Sequence, residues 1–486
     1  MSPQLIAFIV LVVVNFMLIV GMVFLERKDP KSCIAWALSF LVLPFVSWFI
    51  YIMVGKGPKF SKRRWSKRKQ LADKKLEQRL KNGDFNFYEG SNNENSQIVK
   101  LNYYYGGSPC QSNNEVEFFI DAHEMYDRQL EDIKNAAESI NVMYYLFKTD
   151  AAGKALRDAL IEKAKQGVKV NVVYDSSGNL KTNLYFFRDL IKAGGKVHPF
   201  FPSIFKLINS NFCYRNHRKI VVIDGKIGYI GGMNIGVDYL SQDKRIKPWR
   251  DTHLRIVGES VCMLQTRFIK DFTCSSKRAI IDDDITPFFD TNKYFPAPIK
   301  TGFSPIQIIS SGPDTTKQEI KYCYQKIISE SKKEVYLETP YFIPDDSFLD
   351  TILMAQVAGV QVYLVIPKVW DKKIVYHVTI SYLEKLLEAG VKVYKYPGFI
   401  HSKMCVGDEI AASIGTANLD IRSFALNFEV NAVLYSPKEI IKAKDIIKAD
   451  ISISEEYTLE MFKKRSKWSK FWEAILRLFA PLMWFL

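Results

Sequence analysis

The chain has 486 residues, 48% hydrophobic and 24% charged, with a formal net charge of +15. That composition supports a sizeable core and excludes wholesale disorder, and the length accommodates about three ordinary domains or one large two-lobed body. The positive balance implies an anionic partner, nucleic acid or an acidic membrane surface, without choosing between them.

The N-terminal region makes that choice. Leu5 to Leu25 is apolar apart from Asn15 and Gly21, and Cys33 to Val54 is a second such run, broken by Ser39, Pro44 and Ser47. Each is about 21 residues, ~31 Å as helix, enough for a hydrocarbon core of ~30 Å. The link from Glu26 to Ser32 is short, which predicts a tight hairpin. A cleaved signal peptide fits poorly, because the first run lacks a basic leader and a small-x-small cleavage site. After the second run come Lys56, Lys59, Lys62, Arg63, Arg64, Lys67, Arg68 and Lys69, whereas the link carries Arg27, Lys28 and Lys31 offset by two acids. The positive-inside rule then places everything downstream in the cytoplasm. The expectation is a multi-pass cell-membrane protein: residues 1–55 two transmembrane helices, residues 56–96 a basic juxtamembrane linker. The basic cluster would also lie against an anionic leaflet.

From about Gln97 to Tyr457 the pattern β-α-β-α-β runs twice. Strand-like Ser139–Tyr145, a helix over Gly153–Gln166 and the strand Val168–Tyr174 correspond to Glu334–Thr339, a helix over Phe348–Ala358 and Val360–Ile366. Gly167 and Gly359 mark the helix ends. Alternating strands and helices predict an α/β fold of two pseudo-symmetric lobes, each a mostly parallel sheet flanked by helices. The first lobe is assigned to 97–277, a Pro- and Asp-rich connection to 278–301, and the second lobe to 302–460. Residues 461–486 mix lysine and arginine with tryptophan and phenylalanine, which suits an interfacial tail or a terminal helix packed on the lobes. Seven scattered cysteines without CxxC spacing read as reduced, buried thiols, and no His/Cys cluster has metal-ligand spacing, so neither metal nor cofactor is expected.

Each half carries one motif. His217-Arg218-Lys219, four residues, then Asp224 is matched by His401-Ser402-Lys403, four residues, then Asp408. Each reaches a small-residue turn ending in asparagine, Gly231-Gly232-Met233-Asn234 and Gly415-Thr416-Ala417-Asn418. The glycines suit a phosphate nest or plain tight turns. Strand alternation would put His217 beside Lys219 and His401 beside Lys403. Two such pairs brought together suit a phosphodiester: one imidazole attacks in line, the other protonates the leaving alkoxide, and Lys219 and Lys403 stabilise the added negative charge. Asn234 and Asn418 offer donors to the phosphoryl oxygens. Each ring needs an acceptor to fix its tautomer; Asp251 is the candidate for His217 and Glu429 for His401. Asp224 and Asp408 complete the motif and count with the catalytic set, although Asp224-Gly225 and Gly407-Asp408 are turn chemistry and favour structural anchoring.

These residues resemble the phospholipase D superfamily and, within it, the bacterial cardiolipin synthases. The resemblance rests on the two motifs, Trp249-Arg250-Asp251, Glu338-Thr339-Pro340-Tyr341-Phe342-Ile343-Pro344 and the run from Gly415 through Arg422-Ser423-Phe424 to Glu429, and it covers nearly the whole chain. It implies condensation of two phosphatidylglycerol molecules into cardiolipin and glycerol through a phosphatidyl-histidine intermediate, without metal or nucleotide. By analogy His217 is the nucleophile and His401 acid then base, an assignment the near-symmetry allows to be reversed. The implied partners are phosphatidylglycerol and anionic membrane lipids. Hydrolysis, or transfer to another alcohol, is the alternative within the same chemistry; two membrane spans argue against a nucleic-acid substrate.

Overall fold

Helix starts and stops in the two halves follow one chemistry. Asp150 caps the helix Ala151–Lys165 by accepting from the Gly153 amide at 3.1 Å, and Asp345 caps Asp346–Val357 through Phe348 at 2.9 Å. Both helices end before glycines in the left-handed region, Gly167 at φ 89° and Gly359 at φ 99°, where a side chain is strained. The computed structural model describes residues 2–25, 30–51, 93–179, 182–201, 214–243, 245–275, 291–315 and 317–478.

The first-half strands are β1 (Asn114–Phe119), β2 (Ser139–Tyr144), β3 (Lys169–Asp175), β4 (Lys196–Phe200), β5 (Ile220–Ile223), β6 (Ile227–Gly231), β7 (Trp249–Arg250) and β8 (His253–Gly258). The second half contributes β9 (Ile306–Ser311), β10 (Glu334–Glu338), β11 (Phe342–Ile343), β12 (Gln361–Pro367), β13 (Lys392–Tyr396), β14 (Phe399–Ile400), β15 (Met404–Gly407), β16 (Ala411–Gly415), β17 (Leu419–Asp420), β18 (Glu429–Leu434) and β19 (Glu455–Glu456). Among the described residues the first sheet runs β1-β8-β6-β5-β2-β3-β4 and the second β19-β13-β12-β10-β15-β16-β18-β9.

The two-lobed α/β architecture is the one expected, with one correction: each sheet is mixed. Strands β2, β3 and β4 are parallel, as are β10, β12 and β13, because helical crossovers join them. Strands β5, β6, β8 and β1 continue the first sheet antiparallel, and β15, β16, β18 and β9 continue the second likewise. The links β5–β6 and β15–β16 are tight turns, too short for a crossover.

Those turns hold the motif aspartates. Asp224 (φ 52°) and Asp408 (φ 40°) sit in the left-handed region. The Asp224 carboxylate accepts from the amides of Ala137, Glu138 and Ser139 at 2.8–2.9 Å, and Asp408 from those of Lys332, Lys333 and Glu334. Each ties its turn to the start of β2 or β10. Asp224→Ala is therefore expected to lower stability by about 2 kcal/mol through the loss of three hydrogen bonds to an ionised carboxylate, while activity per folded molecule survives. Thermal unfolding alongside specific activity checks this.

The lobes share one core. Ile220, Val222 and Ile230 of the first sheet join Met404, Ile414 and Val430 of the second and Phe268 of the helix Val261–Ser275. The helix Asn93–Gly106, grouped with the first lobe on position alone, packs against the second: Ile98 and Val99 enter the cluster of Ile309, Ile320 and Tyr324, and Asn102 donates to Gln307 and Tyr435 at 3.1 Å.

Pro3–Phe24 is, among the described residues, the one helix long and apolar enough to cross a membrane. The second apolar run is interrupted, with helices Pro30–Val42 and Pro44–Ile50 meeting at Leu43. Pro44 lacks an N–H, which leaves the Phe40 carbonyl without its helical donor. Asn15 supplies it from the first helix at 3.2 Å and accepts from Trp48 Nε1 at 2.8 Å. The polar residue that interrupts the first run thus clasps the break in the second. The basic cluster from Lys56 to Lys69, residues 52–54 and 276–290 and the last eight residues lie outside the described residues.

Candidate active site

Both motif histidines sit just ahead of β5 and β15 rather than on them, and both are held from the opposite lobe. The His217 amide donates to Phe428 O at 3.0 Å, and Phe428 N to Arg215 O at 2.9 Å. The His401 amide donates to Arg250 O at 2.6 Å, and β14 pairs parallel with β7, Phe399 opposite Trp249 and Ile400 opposite Arg250. Each lobe inserts its histidine segment into a short ladder made by the other.

That exchange decides which acid serves which ring. His217 Nδ1 lies 2.9 Å from Glu429 Oε2 and 3.1 Å from Thr416 O; His401 Nδ1 lies 2.5 Å from Asp251 Oδ2. The expected pairing of Asp251 with His217 and Glu429 with His401 is corrected: the partners are exchanged, because the strand ends carrying these acids cross to the other lobe. With Nδ1 occupied, Nε2 is the nitrogen left for chemistry, and among the described residues no protein group bonds it in either ring.

His217 and His401 line one cavity of about 340 Å³ together with Tyr145, Tyr239, Trp249, Tyr341, Asn234 and Asn418. They are 8% and 7% exposed. Burial lowers His217 to about 4 against the pull of Glu429, and burial with Lys403 nearby lowers His401 to about 3. Both rings are neutral near pH 7 beside ionised carboxylates. An entering phosphodiester anion reverses the sign for whichever ring it touches, favouring imidazolium.

Lys219 and Lys403 lie behind the rings, fully buried, each donating to its own motif histidine's carbonyl, Lys219 at 2.6 Å. Neither lysine is among the residues that line the cavity shared by the two rings. Burial draws Lys219 well below the lysine range and Lys403 to about 8. The residue between differs. Arg218 turns into the core, bonded to Asp271 at 2.7 Å and to the Glu429 carbonyl at 3.0 Å; Ser402 meets Thr252 Oγ1 at 2.9 Å. Arg218 thereby braces the strand that presents Glu429.

The two asparagines part company. Asn234 accepts from Leu146 N at 3.0 Å and donates to the Tyr239 hydroxyl, so its amide is committed to structure. Asn418 lines the cavity 5% exposed, and its Oδ1 has no partner among the described residues. Asp224 and Asp408 are not in the cavity lining, a correction to their place in the catalytic set; their carboxylates are consumed by the turns. Cys405, next to the second motif, is buried and its thiol is pushed far up, so it offers no thiolate.

The cavity also holds groups given no role from sequence: Arg215, Lys372, Arg422, Asp371 and Asp420. Arg422 and Asp420 stand in the run from Gly415 to Glu429 that carries the resemblance, and Arg215 lies two residues before His217, which was the available signal.

The family model described as cardiolipin synthase, PLD-like domain, matches residues 130–245 and 324–451. A cardiolipin synthase from Listeria innocua serovar 6a is 40% identical over 98% of this chain and 98% of its own length. One from Staphylococcus aureus is 39% identical over 97% and 95% respectively. Among solved structures, the phosphatidylserine synthase of Haemophilus influenzae Rd KW20 superposes with a TM-score of 0.60 at 16% identity, covering 80% of this chain and 98% of that one, which is a likeness of fold.

Proposed function

The chain belongs to the cardiolipin synthase family of the phospholipase D superfamily, a phospholipid phosphatidyltransferase, and from that premise we propose that it condenses two phosphatidylglycerol molecules into cardiolipin and glycerol. The observation that carries the reading is the single cavity lined by two buried imidazoles, each oriented by a carboxylate of the opposite lobe.

In the first step His217 Nε2 attacks phosphorus. The N–P bond forms as the bond from phosphorus to the departing glycerol oxygen breaks, and that oxygen takes a proton from His401. In the second a hydroxyl of another phosphatidylglycerol gives its proton to His401 and attacks phosphorus as the N–P bond breaks. Lys219 and Lys403, as cations, stabilise both transition states, and Asn418 donates to a phosphoryl oxygen. Glu429 and Asp251 hold the Nδ1–H tautomers and favour each imidazolium as it forms.

Both N-terminal helices are read as crossing the membrane, the lobes lying on the cytoplasmic side. Supporting this are the apolar side chains that Pro3–Val20 exposes, Phe8 and Phe16 among them, and the Asn15 clasp to the second helix. At the other end the helix Lys467–Leu478 packs on Lys373–Glu388, Arg477 donating to Ser381 O at 3.2 Å, while Trp468, Phe471 and Trp472 stay exposed. An exposed aromatic face beside Lys467 and Lys470 suits the headgroup layer.

Purified protein given phosphatidylglycerol labelled in its headgroup is expected to release one glycerol for each cardiolipin formed. Phosphatidic acid as the sole product would replace synthesis with hydrolysis.

A further inference from the structure

The two lobes differ where each should offer a neutral hydrogen-bond donor to phosphate. Asn418 lines the cavity from the second lobe, whereas its counterpart Asn234 is tied to Leu146 and Tyr239. A first-lobe donor has to come from elsewhere. Tyr145, the residue just after β2, lines the cavity and is partly exposed in it. Its ring centroid is 5.0 Å from that of His217 at an interplanar angle of 61°, and Lys219 Nζ lies 5.4 Å from it. The ring sits in a prepared place. A Cβ at position 178 would stand 2.7 Å from Tyr145 Cε2, so the glycine there is what lets the ring approach. Asp175, 1% exposed, accepts from Gly178 N at 2.7 Å with one carboxylate oxygen and from Asn216 N at 2.7 Å with the other. One carboxylate thus fixes both the loop against the ring and the residue before His217. Tyr145 O accepts from Asn179 Nδ2 at 2.6 Å, while its hydroxyl makes no hydrogen bond among the described residues. Burial pushes that hydroxyl above the usual phenol range, so near pH 7 it is a neutral donor. Among the charges acting on it are Arg215 and Arg422 of the cavity lining and Glu429, the partner of His217, which places it on the cavity side.

Sheet register explains why the other lobe has no equivalent. Ile140 pairs with Ile223 and Val335 with Gly407, each partner standing six residues after its motif histidine. Five residues on from Ile140 and Val335 come Tyr145 and Pro340, and proline has neither hydroxyl nor N–H to give. We propose that the Tyr145 hydroxyl is a catalytic donor, hydrogen-bonded to a non-bridging oxygen of the phosphorus that His217 attacks. This rests on the phosphatidyl-transfer reading above and adds a residue outside the paired motif. The bond strengthens as negative charge gathers on that oxygen in each transition state. No proton changes hands: it stays on the tyrosine oxygen while the N–P bond forms and later breaks. With Asn418, the phosphoryl group then has one neutral donor from each lobe. The same ring lies within cation–π range of Lys219, which favours the lysine's charged form against burial.

Tyr145→Phe keeps the ring, its packing on Gly178 and its contact with Lys219, and removes the hydroxyl alone. Full-length wild type and variant are assayed for cardiolipin formation from phosphatidylglycerol and, separately, for incorporation of labelled free glycerol into phosphatidylglycerol. Both reactions pass through the same phosphorus. The variant's kcat is therefore expected to fall about 10²-fold in each, with KM little changed and the thermal unfolding midpoint where it was. A raised KM at wild-type kcat would make the hydroxyl a contact of the bound substrate only and overturn the proposal. A loss confined to one acceptor, a loss matched by a lower unfolding midpoint, or wild-type kinetics would overturn it too. Wild-type enzyme that neither makes cardiolipin nor exchanges glycerol fails the transfer reading itself. A working wild type beside an unimpaired Tyr145→Phe fails the tyrosine alone.

Discussion

Alanine at His217 is expected to abolish transfer, with a loss on the order of 10⁴-fold or more, and alanine at His401 to do the same for a different reason. Neither lobe holds a complete set of nucleophile and acid, so no half-active enzyme should remain. The two variants separate on a phosphatidyl ester whose leaving group needs no proton, such as p-nitrophenol. His401→Ala should then release one equivalent of nitrophenol and stall as a covalent phosphatidyl adduct, visible by intact mass. His217→Ala should show neither burst nor adduct. The reverse pattern would exchange the two assignments. Normal turnover in His401→Ala would sink the two-histidine scheme altogether.

Much of this was legible from the residues in order. The paired His-x-Lys spacing, the turn aspartates and the glycine stops after each helix are local signals, and the repeat between halves made the two-lobed α/β body readable. What was not legible depended on contacts between segments far apart in the chain. Asp251 lies 34 residues after His217 and Glu429 lies 28 after His401, so nearness in sequence favoured partners within a lobe. The lobes instead trade strand ends, β7 against β14 and Asn216 beside Phe428, and the acids travel with them. The antiparallel halves of the sheets were hidden because short apolar runs carry no sign of direction. Asn234 and Asn418 hold the same place in their motifs, but Tyr239 is within reach of the first, which ties it down. The cations of the cavity come from positions 215, 372 and 422, and no spacing rule links them.

The exchanged partners carry the second large expectation. Asp251→Asn and Glu429→Gln keep shape but remove the charge that steadies an imidazolium, so each should cost about 10²–10⁴-fold in turnover. The crossing is exposed by which step suffers. On the activated ester, Glu429→Gln should slow formation of the adduct, because it acts on His217. Asp251→Asn should leave that burst far less affected and slow its resolution, because it acts on His401. A same-lobe pairing requires the opposite. The acid side of the burst adds a sign. Burial holds His217 of the free enzyme neutral down to about 4, with Glu429 pulling upward against it, so the burst rate measured well below saturation, which reports the free enzyme, should stay pH-independent from neutrality to near that value and fall below it as the ring protonates. Glu429→Gln removes the upward pull and shifts the fall to lower pH, whereas Asp251→Asn, one lobe away from that ring's partner, leaves it where it was.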